Sequence, residues 1–286
     1  MKGSLDFFVI TNQKKEDNIM KITHDLHVHT NLSLCAEPSA TLQNHITNAQ
    51  KLGLTKIGIA NHFWDESVQP VLNGWYEKQN IPHVFSLRDE VIKNNHIHGI
   101  EILFGCEAEY DPVNHGVGIT EECAEQLDFL IVPNSHTHMT MPKELYQPYE
   151  KHKEFMINAY REIINSPVSK YITSMAHPFE AVCCPYDNQH VIDIITDDEY
   201  RRIFDETAEK GIAVEINVSS MMGMSREQIE KRSVIRHFRL AKECGCLFTF
   251  GSDTHNDKEQ LPFRELSETV ADILGLSIND IAMKAR

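Results

Sequence analysis

Seven short β-rich runs alternate along this chain with longer amphipathic stretches, and that alternation leaves few folds open. The runs are 21–29 (KITHDLHVH), 55–61 (TKIGIAN), 101–110 (EILFGCEAEY), 128–136 (DFLIVPNSH), 171–177 (YITSMAH), 212–220 (IAVEINVSS) and 246–253 (CLFTFGSD). Helical patterns occupy 42–53, 87–96, 121–127, 148–164, 197–211 and 225–245, and one at 265–275 follows the last strand. Ser39 and Thr41, Ser86 and Thr120 stand before three of these as helix-start residues, and Gly53 closes the first. Strict alternation of this kind implies a parallel sheet with right-handed crossovers. Seven units with no glycine-rich phosphate loop at the first turn favour a closed α/β barrel, one unit short of the eightfold form, over an open doubly wound sheet. Residues 1–20 read as an N-terminal arm or extension, with Met20 as an alternative start, and residues 21–286 as a single barrel domain.

Composition narrows the partners. Lys and Arg total 27 against 42 Asp and Glu, a formal charge of -15, which argues against a protein that binds by neutralising nucleic-acid phosphates. A small anionic substrate still fits if metal ions supply positive charge locally. No apolar run approaches the roughly 18 residues that span a bilayer, and the first 20 residues lack a secretory apolar core followed by a small-residue cleavage site. A cytoplasmic location is expected. Seven cysteines, with Cys183 and Cys184 adjacent, do not form a disulfide framework in a chain of this size. The pair Cys244 and Cys246 spans a helix end and a strand start, and reads as turn and core.

In parallel α/β folds the chemistry gathers where the carboxyl ends of the strands converge. Here those ends are unusual. The first carries His27 and His29, whose i, i+2 spacing puts both imidazoles on one face of an extended strand. The second ends in His62, the third in Glu107 and Glu109, the fourth in His136 and His138, and the fifth in His177. The seventh carries Asp253 and His255, again at i, i+2. Only the sixth, ending near Asn217, lacks such a group. Imidazole and carboxylate ligands suit Zn, Mn or Fe, and this many in one mouth exceed what one ion needs. Two or three divalent ions are therefore expected, with Glu107 able to bridge two of them. Ions roughly 3.5–4 Å apart lower the pKa of a shared water and clamp both oxygens of an in-line displacement at phosphorus.

The ordered set His27-x-His29, Asn61-His62, Glu107 in GCE, His136, AHP with His177, and GSDTH with Asp253 and His255 resembles the successive motifs of the polymerase and histidinol phosphatase (PHP) superfamily. The resemblance runs from about Asp25 through GSDTH and the helix after it. It implies a distorted seven-stranded (β/α)7 TIM-like barrel holding a trinuclear metal centre. By that resemblance His27, His29, Glu107 and Asp253 hold one ion, Glu107, His136 and His177 a second, and His62 and His255 a third with a partner from the loop after strand one. Histidinol-phosphatase-like members usually place a histidine there, where this chain has Cys35. A Cys35 thiolate is a soft ligand for zinc, and Glu37 is a rival two residues on. The resemblance further implies a metal-dependent phosphoesterase, with L-histidinol phosphate, of histidine biosynthesis, as the leading substrate. Nucleotide or oligonucleotide hydrolysis, and a non-catalytic barrel that keeps its metals for structure, are the alternatives.

Other residues read more plainly. Glu109 is expected behind the ligands or facing substrate, and His138 either faces solvent or contacts the substrate phosphoryl group. His96 and His98 repeat the opening spacing but precede strand three, at the opposite rim, and read as surface. His45, His83, His115, His152, His190 and His237 read as surface or satisfied core groups. Trp64 and Trp75 lie in a long segment after strand two, as core or as the wall of a substrate pocket. Arg161, Arg201 and Arg202 read as solvated helix faces. Nothing resembles a nucleophile elbow. Water activated by metal would attack directly, and one of Asp253, His255 or His138 would handle the proton for the leaving alkoxide.

Overall fold

A computed structural model describes residues 20–97, 99–180 and 186–283. The N-terminal arm, the Cys183 and Cys184 pair, and His98 lie outside the described residues. Seven parallel strands form one sheet in chain order: β1 (His24–Val28), β2 (Lys56–Phe63), β3 (Glu101–Ala108), β4 (Phe129–Pro133), β5 (Ile172–Ala176), β6 (Ala213–Asn217) and β7 (Phe248–Gly251). The first and last strands meet as well. His29 N donates to Thr254 O at 3.2 Å and Asp253 N to His27 O at 2.8 Å, so the sheet curls into the nearly closed barrel expected of seven units.

Both faces of these strands are covered, which is why they read as near-continuous apolar runs. Between and after them run α1 (Leu42–Leu52), α2 (Arg88–Asn94), α3 (Tyr149–Ile164), α4 (Asp197–Lys210), α5 (Ser233–Glu243) and α6 (Phe263–Leu274). Helix α3 buries Met156, Ala159, Tyr160, Ile163 and Ile164, a spacing of three and four that lays one stripe on the sheet. Thr41 caps α1 by accepting from Asn44 N, and Gly53 ends it with φ 65°, a left-handed turn that glycine takes without strain. No helix among the described residues is long and apolar enough to cross a membrane.

Two stretches differ from expectation. The helix expected over 225–245 is broken into Arg226–Glu230 and α5, because Arg232 takes an extended backbone (ψ 140°) and sends its guanidinium to Ser220 O at 3.2 Å. The third strand stops at Ala108, and Tyr110–Asp111 instead pairs antiparallel with Gly116–Val117 in a separate ribbon. Cys244 and Cys246 are free thiols at the end of α5 and ahead of β7, in line with turn and core.

Strand register sets the site. His62 lies directly opposite Glu107 in the β2–β3 ladder, and Asn217 opposite Gly251 in β6–β7. Every strand therefore delivers its last residues to the same mouth.

Candidate metal centre

Glu107, almost fully buried at the end of β3, sits at the centre of a ring of imidazoles. Its Oε1 lies 2.9 Å from His177 Nε2 and 3.7 Å from His136 Nε2, and its Oε2 lies 3.6 Å from both His27 Nε2 and His29 Nε2. Asp253 Oδ1 approaches His29 Nε2 at 3.2 Å and His27 Nε2 at 3.5 Å. Four triads have ligand atoms within 4.8 Å of one another: His27, His29 and Glu107; His27, His177 and Asp253; His62, Glu107 and His136; and His29, His62 and His255. Eight of the sequence-derived candidates are thus brought together in one cluster.

The outer nitrogens of these rings are anchored. His27 Nδ1 donates to Glu215 Oε1 at 2.8 Å, and His29 Nδ1 donates to Ser33 Oγ at 3.1 Å, Ser33 itself donating to Asn61 Oδ1. His136 Nδ1 donates to Glu109 Oε2 at 2.7 Å, His177 Nδ1 pairs with Ser135 Oγ at 2.6 Å, and His255 Nδ1 donates to its neighbour Asp253 O at 2.9 Å. An imidazole whose Nδ1 is committed as donor presents a lone pair at Nε2. His27 and His29 turn those lone pairs on each other at 3.0 Å, an approach that needs a positive charge between them. His62 Nδ1 and Glu107 Oε2 approach to 2.9 Å, yet among the described residues neither has a hydrogen-bond partner. Buried lone pairs converging without donors are what divalent cations require, so the residues fit the metals that the sequence implies.

The electrostatics agree. Burial pushes the Glu107 carboxyl up, but His62, His27 and His136 outweigh it and hold the group well below the usual carboxylate range. Asp253 is held low in the same way, against burial, by His27 and His29. Burial and the nearby His255 and His62 drive His29 well down, whereas Glu215, Asp253 and Glu107 overcome burial at His27 and raise it. Backbone strain is concentrated here too. His177 (φ 26°) and Asp253 (φ 52°) are non-glycine residues in the left-handed region, held there by bonds from their own N–H groups to Glu215 Oε2 and His27 O.

The structure places the remaining candidates around a cleft of about 490 Å³ above the cluster. His138 lines it, and Trp75 stands edge-on to His62 at 5.2 Å while Trp64 is core. Cys35 is exposed at the rim and bears on His255, where it and Asp253 outweigh burial and raise the imidazole pKa, but it belongs to none of the four triads. Glu37 is exposed, and its N–H donates to His255 O. A second hollow of about the same volume, among Lys51, Arg226, Arg264 and Asp272, contains none of the clustered imidazoles.

Three residues missed in the sequence stand close by. Glu215 makes strand six a contributor after all, from inside the strand rather than from its end. Tyr76 donates its hydroxyl to Glu109, and Glu180 lines the cleft. The signal for Glu215 was present: a lone carboxylate in VEIN, within an otherwise apolar buried strand. One expectation fails: His237 is buried, yet among the described residues neither ring nitrogen has a hydrogen-bond partner.

Comparison with known proteins bears on this geometry. The PHP domain matches residues 25–219, a span that stops short of Asp253 and His255. A protein of Caldanaerobacter subterraneus subsp. tengcongensis named "probable phosphatase" is 27% identical over 236 residues, 82% of this chain and 78% of that one. Another of that name from Acetivibrio thermocellus is 25% identical over 236 residues, covering 82% and 80%. The crystal structure of histidinol phosphate phosphatase from Lactococcus lactis, complexed with zinc, L-histidinol and phosphate, shares the fold at a TM-score of 0.62 and 17% identity, over 90% of this chain and 95% of that one. With two thirds of its length matched by that one domain, the chain belongs to the PHP family.

Proposed function

We propose that this PHP protein is a metal-dependent phosphomonoesterase acting on a small-molecule phosphate ester, with L-histidinol phosphate the first candidate. The observation that carries the reading is the Glu107-centred cluster, in which the ligand atoms of eight imidazoles and carboxylates converge and, among the described residues, His62 Nδ1 and Glu107 Oε2 have no hydrogen-bond partner. His27, His29, Glu107 and Asp253 would hold one divalent ion, Glu107, His136 and His177 a second, and His62 with His255 a third, to which Cys35, lining the same cleft, would add a thiolate. Bound there, such ions supply Lewis acidity at the phosphoryl oxygens and lower the pKa of an attacking water. The chain's own residues do the rest. Glu215, Ser33, Glu109 and Ser135 fix the rings so that no reorganisation is needed as charge develops. Asp253, His255 and His138 face the cleft, where one of them can pass a proton to the departing alkoxide. Trp75 and Met139 wall the cleft and limit water around the ester.

The Lactococcus protein was crystallised with L-histidinol and phosphate, and the shared fold makes their ester the first compound to try. That substrate would place the chain in histidine biosynthesis. The test is metal analysis of the purified protein together with phosphate release from a panel of histidinol phosphate, nucleotides and short oligonucleotides. Two or three ions per chain and release from the small ester, lost in His27→Ala and Asp253→Ala, are expected. Fewer than two ions, or variants as fast as the wild type, would overturn the reading.

A further inference from the structure

Cys35 sits in a loop that is laced to three imidazole-bearing residues at once. Two residues before it, Ser33 Oγ accepts from His29 Nδ1 at 3.1 Å and from His62 N at 3.3 Å. Two residues after it, Glu37 N donates to His255 O at 2.8 Å, and Ala36 N closes a turn onto Ser33 O at 2.9 Å. His29, His62 and His255 form one of the triads whose ligand atoms lie within 4.8 Å of one another. The backbone of Cys35 is thus pinned beside that triad. Its Sγ falls outside it, but the side chain is exposed, so it turns about Cα–Cβ without displacing packed atoms, and it hydrogen-bonds the His255 side chain. It is the one thiol among the described residues that line the cleft. His62, 8% exposed and lining the same cleft, has no hydrogen-bond partner for Nδ1 among the described residues.

The donor sets of the cluster differ in hardness. Glu107 and Asp253 give the inner positions carboxylate oxygen together with imidazole, a set that admits manganese and iron as well as zinc. At the Cys35 end a thiolate would join His62 and His255, and sulfur ligands favour zinc and similar soft ions over manganese. Three protein ligands also leave a fourth position open, the form of a zinc site that meets substrate. We propose that Cys35 makes the outer site selective for thiophilic ions, zinc or cobalt but not manganese, so that one cluster holds two kinds of metal site. This rests on the phosphatase reading above and adds to it which ion each site takes.

The metal-free full chain would be titrated with cobalt, zinc and manganese in turn. With cobalt, the third equivalent should bring up a thiolate-to-metal charge-transfer band in the near ultraviolet, which Cys35→Ser should lack. At the same free concentration of metal, the wild type should hold three zinc ions but two manganese ions. Cys35→Ser should weaken the third zinc by at least the roughly 10–100-fold that loss of an outer partner costs a metal-bound histidine. Cys35→Asp, which offers oxygen from the same position, should accept a third manganese and still lack the band, and thermal melting reports whether each variant is folded. No band at saturation, a band kept in folded Cys35→Ser, or a third manganese held by the wild type as tightly as zinc overturns the role of Cys35. Phosphate release by a wild type holding two or more ions then leaves the phosphatase reading intact. Fewer than two ions per chain in the wild type overturns both.

Discussion

His27 Nδ1 and Glu215 Oε1 lie 2.8 Å apart in a pocket closed to solvent, and the other oxygen of the same carboxylate accepts His177 N at 2.7 Å. One side chain from β6 thus orients an imidazole on β1 and holds the left-handed turn that presents another after β5. Replacing it by Glu215→Gln keeps the volume but removes the charge that favours a donor at His27 Nδ1. Metal affinity should fall about 10–100-fold, as for other partners of metal-bound histidines, with phosphatase activity following it. Titration of the metal-free protein with zinc or manganese measures this, and an affinity equal to that of the wild type would refute it.

Gly251 is the second support for the same pair. A Cβ there would stand 2.0 Å from Glu215 Oε1 and 2.5 Å from His27 Cβ, and neither can retreat, because Glu215 is tied to His27 and His177 N. Gly251→Ala should therefore cost about 1–3 kcal/mol in folding stability and also lower metal content. Gly74→Ala, whose nearest atom would be the flexible end of Glu77 at 3.9 Å, serves as control. Urea denaturation and metal analysis of both variants decide it: equal midpoints would mean that the barrel relaxes around the methyl group.

The barrel and all six of the clustered imidazoles were legible in the sequence for one reason. Strands buried on both faces appear as apolar runs, and a titratable residue at the end of such a run must face the mouth. His62 opposite Glu107 follows from that register alone. Glu215 escaped because a mid-strand carboxylate has no mouth-facing position to betray it, only its oddity among apolar neighbours. Tyr76 and Glu180 escaped because they come from long connections, where no periodicity fixes which way a side chain points. His237 was assigned to the core or surface by position, but position on a helix says nothing about hydrogen-bond partners.

Tyr76 shows what the long segment after β2 contributes. Its hydroxyl is buried and donates to Glu109 Oε2, the same oxygen that orients His136 at 2.7 Å. Removing a hydrogen bond to a charged group costs about 1.5–3 kcal/mol. Tyr76→Phe should lose stability in that range while the ring still packs against Trp64 and Trp75. It should also loosen the ion nearest His136 more than the one at His27 and His29. Stepwise chelation of the variant, followed by metal analysis, reads this out, and loss of every ion together would count against a local effect.

His237 gives the fold an acid sensitivity of its own. It is fully buried among Tyr200, Phe204, Phe179 and Phe238, with no hydrogen-bond partner for either nitrogen among the described residues, and burial, aided by Arg236, depresses its pKa to about 3. The folded state therefore keeps the ring neutral, while the unfolded chain takes up a proton near pH 6.5. A depressed folded pKa means that the full contribution to stability is present above pH 6.5 and is lost as the pH falls toward 3, at roughly 1.4 kcal/mol per unit. His237→Phe removes the titrating group and fills the same aromatic site. Between pH 7.5 and pH 5 the wild type should lose about 2 kcal/mol more than this variant, a difference in which the other ionisable groups cancel. Urea midpoints for both proteins at the two pH values measure it, and parallel losses would show that His237 takes up its proton without unfolding the chain.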